Sequence, residues 1–453
     1  MRCTGQREPY TPIVLDVALL IAGVFSFTVQ FVTENTSPGT LAGDYPLQGL
    51  LTMVLVSLYA WIGFFVPPSK KTTVAKAILL LALVGTTVIL ATAHLMERRL
   101  QEGSHLHIHD HPLQIELALG YLLEGKNPYV MDYFGTPMET LSPSNPALHH
   151  VISLPTVFLV SAPILAIWKG LFGWFDERIV HIVMLFASMG ALWTLFRRTD
   201  LKFAAIIALV FGPLFARFFV EGMNDILFLA FIFWALACLR NRQERAALIF
   251  LALAITTKHT AWFIVPFFFT YLAATGYFKK DAIEKILPFV LLTTLIIAPF
   301  AAWDWNAFID DIYRYPAGTL PTSYPVNGYN LGMTLHQWGY LPNRFAPYPP
   351  SWFKLLLLPL LGVLMAELYR VPRISRVLLC YAALLWPFWY LSRFLHGNYM
   401  GVIVILFAVG TMLAYDELPL RASGAPKSPA SKSDKNVTAR KKKPKKPAVR
   451  RSR

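Results

Sequence analysis

Charge is scarce in this chain. Asp, Glu, Lys and Arg make up 15% of its 453 residues, where a soluble domain carries nearer a quarter. Apolar runs of about twenty residues recur from end to end instead, the pattern of a polytopic α-helical membrane protein. Cysteine is nearly absent: Cys3, Cys238 and Cys380 lie far apart and show no metal spacing, and the last two sit in apolar runs as packing residues. No Gly-rich phosphate loop of the required type opens a helix, so no nucleotide site is expected. The first apolar run is too long, and too weakly followed by small residues, for a removed signal peptide; it reads as the first span. Ionisable residues sit at span ends and are almost missing from mid-membrane. Ion-coupled transporters need such groups near the midplane, which speaks against a pump or symporter.

The charge that is present is one-sided. The net charge is +15, and from Arg421 onward thirteen Lys/Arg face a single acid, Asp434, so +12 of it belongs to the tail. That tail, taken as 416–453, is poor in apolar residues and reads as a disordered cytoplasmic anchor touching anionic lipid, not as a nucleic-acid binder. The rest, 1–415, reads as one multi-span domain. Candidate spans are 12–32, 47–67, 73–95, 178–196, 203–220, 223–239, 245–258, 261–275, 284–303, 351–369, 374–392 and 398–415. Twelve alternating spans with both termini inside put the basic loops "PPSKK", "RRTDLK", "RNRQER", "GYFKKDAIEK" and "YRVPRISR" on the inner face. Outside remain the large loops 96–177 and 304–350. The apolar stretch 149–175, interrupted by Pro155 and Pro163, is expected to lie in the outer interface as one or two helices. Residues 245–275 are expected to form a hairpin of two short helices, with Lys258 and His259 at an outer tip beside a cavity.

The polar clusters then share one face: "HLHIHDH" (105–111) with Asp110, then Glu116, Asp132, Glu221 and Asp225, Lys258 and His259, Arg393 and His396. Carboxylates and cations at the mouth of a lipid-lined cavity suit transfer of a group from a lipid phosphate to an acceptor hydroxyl. A carboxylate accepts the hydroxyl's proton while cations hold the departing phosphate.

The order of an outer-loop Asp110, "GKNPY" fifteen residues later (Gly125–Tyr129), an interfacial Pro-containing segment, Asp225 opening a later span and the hairpin with Lys258 resembles the polyprenyl-phosphate-dependent glycosyltransferases of the GT-C fold. The spacing is closest to their bacterial mannosyltransferase-like branch. The resemblance covers about residues 73–400 and leaves 1–70 unexplained. It implies an all-α membrane enzyme of GT-C type that inverts configuration as it moves a hexose, mannose by the branch. The donor would be a polyprenyl-phosphate sugar and the acceptor a lipid or glycan at the outer face of a bacterial inner membrane.

On that resemblance Asp110 is the base, with Glu116 and Asp225 as acceptor-side or second acids. Lys258, with Arg217 and Arg393, would bind the donor phosphate, and His109, His111, His259 and His396 would contact sugar. Each residue also has a plainer reading. Asp110 ahead of Pro112 is a good helix start, Asp225 or Asn224 could merely open its span, Lys258 could snorkel, and Arg217 and Arg393 could pair with headgroups. His105, His107, His109 and His111 alternate, so an extended segment would put them on one face. They lack the spacings of a zinc site; the sequence identifies no cofactor, and a divalent metal, which some members of that family use, stays an open reading. The Tyr-, Pro- and Gly-rich stretch after Asp310, with Trp338, reads either as a lid over a sugar cleft or as an aromatic belt. A lipid-linked-sugar flippase and a non-catalytic descendant of such an enzyme are the rival readings.

Overall fold

The computed structural model describes residues 13–33, 40–141, 145–279, 281–349 and 351–418. Cys3 and the basic tail beyond 418 lie outside them. The described chain is all-α apart from one two-residue parallel bridge. Its principal helices are α1 (Ile13–Thr28), α2 (Gln48–Phe65), α3 (Lys70–Glu102), α4 (Asp110–Leu123), α5 (Pro155–Phe172), α6 (Arg178–Leu195), α7 (Thr199–Val210) and α8 (Pro213–Glu221). They continue with α9 (Asp225–Arg240), α10 (Glu244–Ile255), α11 (Val265–Ala274), α12 (Ala282–Trp303), α13 (Leu357–Arg370), α14 (Ile374–Tyr390) and α15 (Gly397–Asp416).

Six of these, α2, α3, α5, α6, α12 and α15, are long and apolar enough to cross a membrane, and the bent pair α7–α8 makes a seventh. The architecture is that of an all-α polytopic membrane protein. In lipid such helices associate through close packing, not through expulsion of water. α9 is the hub: fourteen of its sixteen residues are buried, against α6 on one side and α10 on the other. Ala230, Ala235 and Ala237 on α9 and Ala204 and Ala205 on α7 are all buried, small enough to let neighbouring backbones approach. α12 instead shows its apolar side chains outward, Leu291 and Leu295 among them, as a lipid-facing helix should.

Three expectations are corrected in detail. The span drawn as 73–95 is the middle of a 33-residue helix, about 50 Å long at 1.5 Å per residue, so Arg99 is helical and not part of a loop. The span drawn as 203–220 is broken: α7 and α8 meet at 54° where Gly212 and then Pro213, at the first position of α8, end one helix and start another. The histidines do not share an extended face, because the segment turns and His107 adopts φ 56°.

α5 is one continuous helix with Pro163 inside it. Although it is long enough to cross, both its ends stay at one end of the bundle. Thr156 bonds Thr256, at the tip after α10. Six peptide steps separate Phe172 from Arg178 and span at most ~21 Å, less than the ~30 Å of a hydrocarbon core. Ser161, in mid-helix, already bonds Glu177 at 2.6 Å. These bonds hold its start and its middle close to Thr256 and Glu177.

Candidate functional site

Asp110 owes its position to the chain on both sides of it. His109 donates its backbone N–H to the carbonyl of Glu221, at the end of α8 (3.1 Å), and stands directly before the first residue of α4. Gly222 makes that approach feasible. It has φ 99°, and a Cβ there would meet Pro112 at 2.8 Å and Arg178 at 3.1 Å, so a larger residue would push α4 off α8.

The Asp110 carboxylate is held by His109 Nδ1 on one oxygen and by the Asn145 amide on the other, at 2.6 Å. Burial alone would raise its pKa, but the His109 hydrogen bond and charge, followed by Asn145, more than offset this. The carboxyl is held well below the usual range and is therefore ionised. Burial lowers the His109 pKa, yet Asp110 and Glu221 raise it on balance. His111 faces the other way. Burial, helped by the Lys258 charge, drives it down to about 3, so its ring is neutral; it contacts Ser153 Oγ at 3.1 Å through Nε2.

The ion pair gives a pH prediction. His109 has a raised pKa, so its contribution to stability is complete below about pH 6.5, its unfolded value, and is lost as the pH climbs through the folded value. His109→Gln should lower the Tm at pH 6 by more than it does at pH 9. An equal drop at both would show that the pair adds nothing.

Two cavities meet at His111. The more polar of them, about 370 Å³, is lined by His109, Asp110, His150, Tyr315, Tyr324 and His396. An apolar one of about 290 Å³ is lined by Lys258, His259, Trp262, Phe263, Phe388 and Arg393, among others. His111, Ile152, Met223, Phe394 and Tyr399 border both, so the two form one cleft. The parallel bridge β1 (Asn327–Gly328) to β2 (Phe394–Leu395) brings the segment that follows Asp310 over the polar chamber.

Of the residues singled out in the sequence, Asp110, His109, His111, His259, His396, Lys258 and Arg393 line this cleft. Lys258 Nζ lies 2.5 Å from Asp225 Oδ1 and 3.2 Å from Asn224 Oδ1. Asp225 is fully occupied by Lys258 and by the Asn398 amide at 2.7 Å, so it orients Lys258 and does not face an acceptor. Arg393 is 2% exposed and donates to the carbonyls of Tyr324, Arg344, Phe345, Ala346 and Tyr348. It organises the segment over the cleft, and Gly318 leaves room for it: a Cβ there would come 2.6 Å from Nη1. No carboxylate pairs with Arg393 among the described residues, so its charge stays uncompensated beside the cleft.

Glu116 and Arg217 are not in the cleft. Glu116 forms a two-pronged pair with Arg99 at 2.8 and 2.6 Å and accepts the Glu177 N–H. Arg217 is exposed and pairs with Glu221 on its own helix. Tyr129 of "GKNPY" is a buried plug, bonded to the Ser153 carbonyl at 2.8 Å and edge-on to Phe158, Phe300 and Phe308.

The sequence reading missed His150 and Asp311. His150 Nδ1 is 2.7 Å from Asp311 Oδ1, and its Nε2 is 2.7 Å from Thr322 Oγ1. Burial raises the Asp311 pKa to about 6 in spite of the His150 bond. The two residues lie 161 positions apart, and no local signal joins them. Among the described residues no three His, Cys, Asp or Glu side chains gather to hold a metal ion. Cys238 and Cys380 are buried and free. No family model, curated protein or solved structure matches the chain.

Proposed function

We infer that the chain is a membrane glycosyltransferase that moves a hexose from a polyprenyl-phosphate donor to a lipid or glycan hydroxyl. One observation carries this reading: the ionised Asp110 and the cationic Lys258 belong to a single cleft, Asp110 in its more polar chamber and Lys258 in its more apolar one. A lipid phosphate suits the more apolar chamber, where Lys258 stabilises its anion, and the sugar suits the ring of His, Tyr and Asp side chains. The acceptor oxygen attacks the anomeric carbon as its proton passes to Asp110. The bond to the phosphate oxygen breaks with its electron pair going to the phosphate, and a single displacement of this kind inverts configuration. Developing negative charge at the leaving phosphate is what fixed cations beside a water-poor pocket stabilise.

Several finer features belong to the same reading. The shorter apolar helices Leu15–Phe31, His259–Ala274 and Ile374–Tyr390 would complete about twelve spans in a GT-C arrangement. The basic loops would face the cytoplasm of a bacterial inner membrane, and mannose is the sugar to try first. The transporter reading has less behind it. The buried ionisable residues Asp16 and Lys76 lie near one end of the bundle and Glu177, Arg178 and His181 near the other, which is not the placement of a polar path through the midplane.

The test is incorporation of label from radioactive polyprenyl-phosphate mannose, and from the glucose analogue, into membranes containing the full chain. Failure with both, together with chain-dependent translocation of either across vesicles, would replace the enzyme by the transporter. Lys258→Met should raise the donor KM at least tenfold, since a charge-assisted bond to phosphate is lost. Arg217→Gln, which removes an exposed pair worth ~0.2–1 kcal/mol, should leave KM and kcat within about twofold. Equal effects of the two substitutions would remove Lys258 from donor binding.

A further inference from the structure

The end of the bundle opposite the cleft holds a cavity of about 480 Å³. It opens where the end of α2 meets the starts of α3 and α7. Its lining is two-sided: Ile62, Val66 and Phe203 are apolar, while Thr73, Lys76 and Arg198 are polar or charged. The wall charges are already matched, Lys76 by Asp16 and Arg198 by Asp200 at 3.3 Å. The mouth is different. Lys70 and Lys71, beside the lining residues Ser69 and Thr72, and Arg197, beside Arg198, are exposed. None of the three side chains has an ion pair among the described residues. The N-termini of α3 and α7 add no free donors there: Ser69 and Thr72 cap α3 reciprocally, and the Asp416 carboxylate takes the Arg197 and Arg198 N–H groups at 2.9 Å, so the unanswered charge is that of the three side chains.

We propose that this cavity binds one anionic phospholipid from the leaflet on that side. Its phosphate meets Lys70, Lys71 and Arg197, and its first acyl methylenes rest on Ile62, Val66 and Phe203. The cations fit the phosphate, and the apolar wall fits what is attached to it. A free phosphate ion would gain nothing from the apolar wall, and a zwitterionic lipid would leave the mouth's excess charge unanswered. Basic pockets between spans are where membranes deliver acidic headgroups. The site is built by α2 and the start of α3 against α7, which gives the first spans a role separate from the cleft and independent of the transfer reaction.

The experiment is native mass spectrometry of the purified full chain after exchange into vesicles of equal phosphatidylglycerol and phosphatidylcholine. The variant carries Lys70→Gln, Lys71→Gln and Arg197→Gln together, three exposed and unpaired positions, and a matched melting curve verifies its fold. The wild type should retain one phosphatidylglycerol per chain. In the variant the preference over phosphatidylcholine should fall by about a hundredfold, each basic residue near an acidic surface being worth roughly fivefold. Equal retention of both lipids by the wild type would overturn the proposal. Unchanged retention by the variant, as diffuse binding through the basic tail would give, would do the same. Displacement of the lipid by inorganic phosphate alone would show an ion site and not a lipid site.

Discussion

Asp110→Asn is expected to cut sugar transfer by on the order of a hundredfold or more while leaving the protein folded. The asparagine keeps the size of the carboxylate and can still accept a hydrogen bond from the Asn145 amide, which is 2.6 Å away, but it cannot take the acceptor's proton. A positioned general base contributes about 10²–10⁴ in rate. Asp110 should fall at the lower end of that range, because the His109 and Asn145 bonds that keep it ionised also make it a weak base. We expect kcat to drop by on the order of a hundredfold or more, with the donor KM little changed, since Lys258 and the apolar chamber are untouched. Initial rates with labelled polyprenyl-phosphate sugar, compared at equal amounts of folded protein, give the answer. Wild-type turnover by the Asn variant would remove Asp110 from the chemistry and revive its plainer role as the first residue of α4. The pH profile adds a second reading: with so low a pKa, Asp110 itself should impose no acid limb between pH 5 and 7.

What the sequence made legible was the part governed by local rules. Apolar run length located most of the helices. Basic loops between them predicted which polar residues share an end, and the cleft does bring Asp110, His111, Lys258, His259, Arg393 and His396 together. The Gly212–Pro213 pair that bends α7–α8 is readable in the same local way, although run length alone joined the two helices into one span.

The partners were not legible, because they are chosen in three dimensions. Asn145, which fixes Asp110, is 35 residues away; Asn398, which fixes Asp225, is 173 away. Arg393 illustrates the limit well. From sequence it is an outer cation suited to phosphate, whereas five backbone carbonyls around it show that it orders the chain over the cleft. Glu116 fails as an acceptor-side acid for the same reason: Arg99, at the far end of a helix longer than its apolar stretch, claims both of its oxygens. Run length marks how much of a helix suits lipid; it does not show where the helix stops.

Asp176→Ala is expected to be the most destabilising single substitution outside the cleft. The Asp176 carboxylate accepts from Arg178 Nε and Nη2, both at 2.8 Å, from the Arg178 backbone N–H at 3.0 Å, and from Arg99 Nη1 at 2.7 Å. Arg178 is fully buried and Arg99 is 7% exposed. Removing the acid leaves one buried guanidinium without a carboxylate and the other with Glu116 alone. Breaking a buried pair on one side costs about 3–5 kcal/mol, against ~0.2–1 kcal/mol for an exposed pair such as Arg245–Glu284. Equilibrium unfolding of Asp176→Ala beside Glu284→Ala makes the comparison, and a loss of under ~1 kcal/mol in the first would show that the network is no more than surface-like.

Burial raises the Asp176 pKa, but the two arginines outweigh it and bring it to about 2. Its stabilisation is therefore complete above its ordinary value near 3.8 and is lost as the pH falls toward 2, so the gap between wild type and variant should narrow in acid. The effect should also reach the cleft. Arg178 Nη1 holds the His107 carbonyl at 2.8 Å, three residues before Asp110, so the variant that weakens the fold should also loosen the base. Transfer should then fall through kcat even at temperatures where the protein stays folded, because a misplaced group loses the effective concentration that fixed geometry provides.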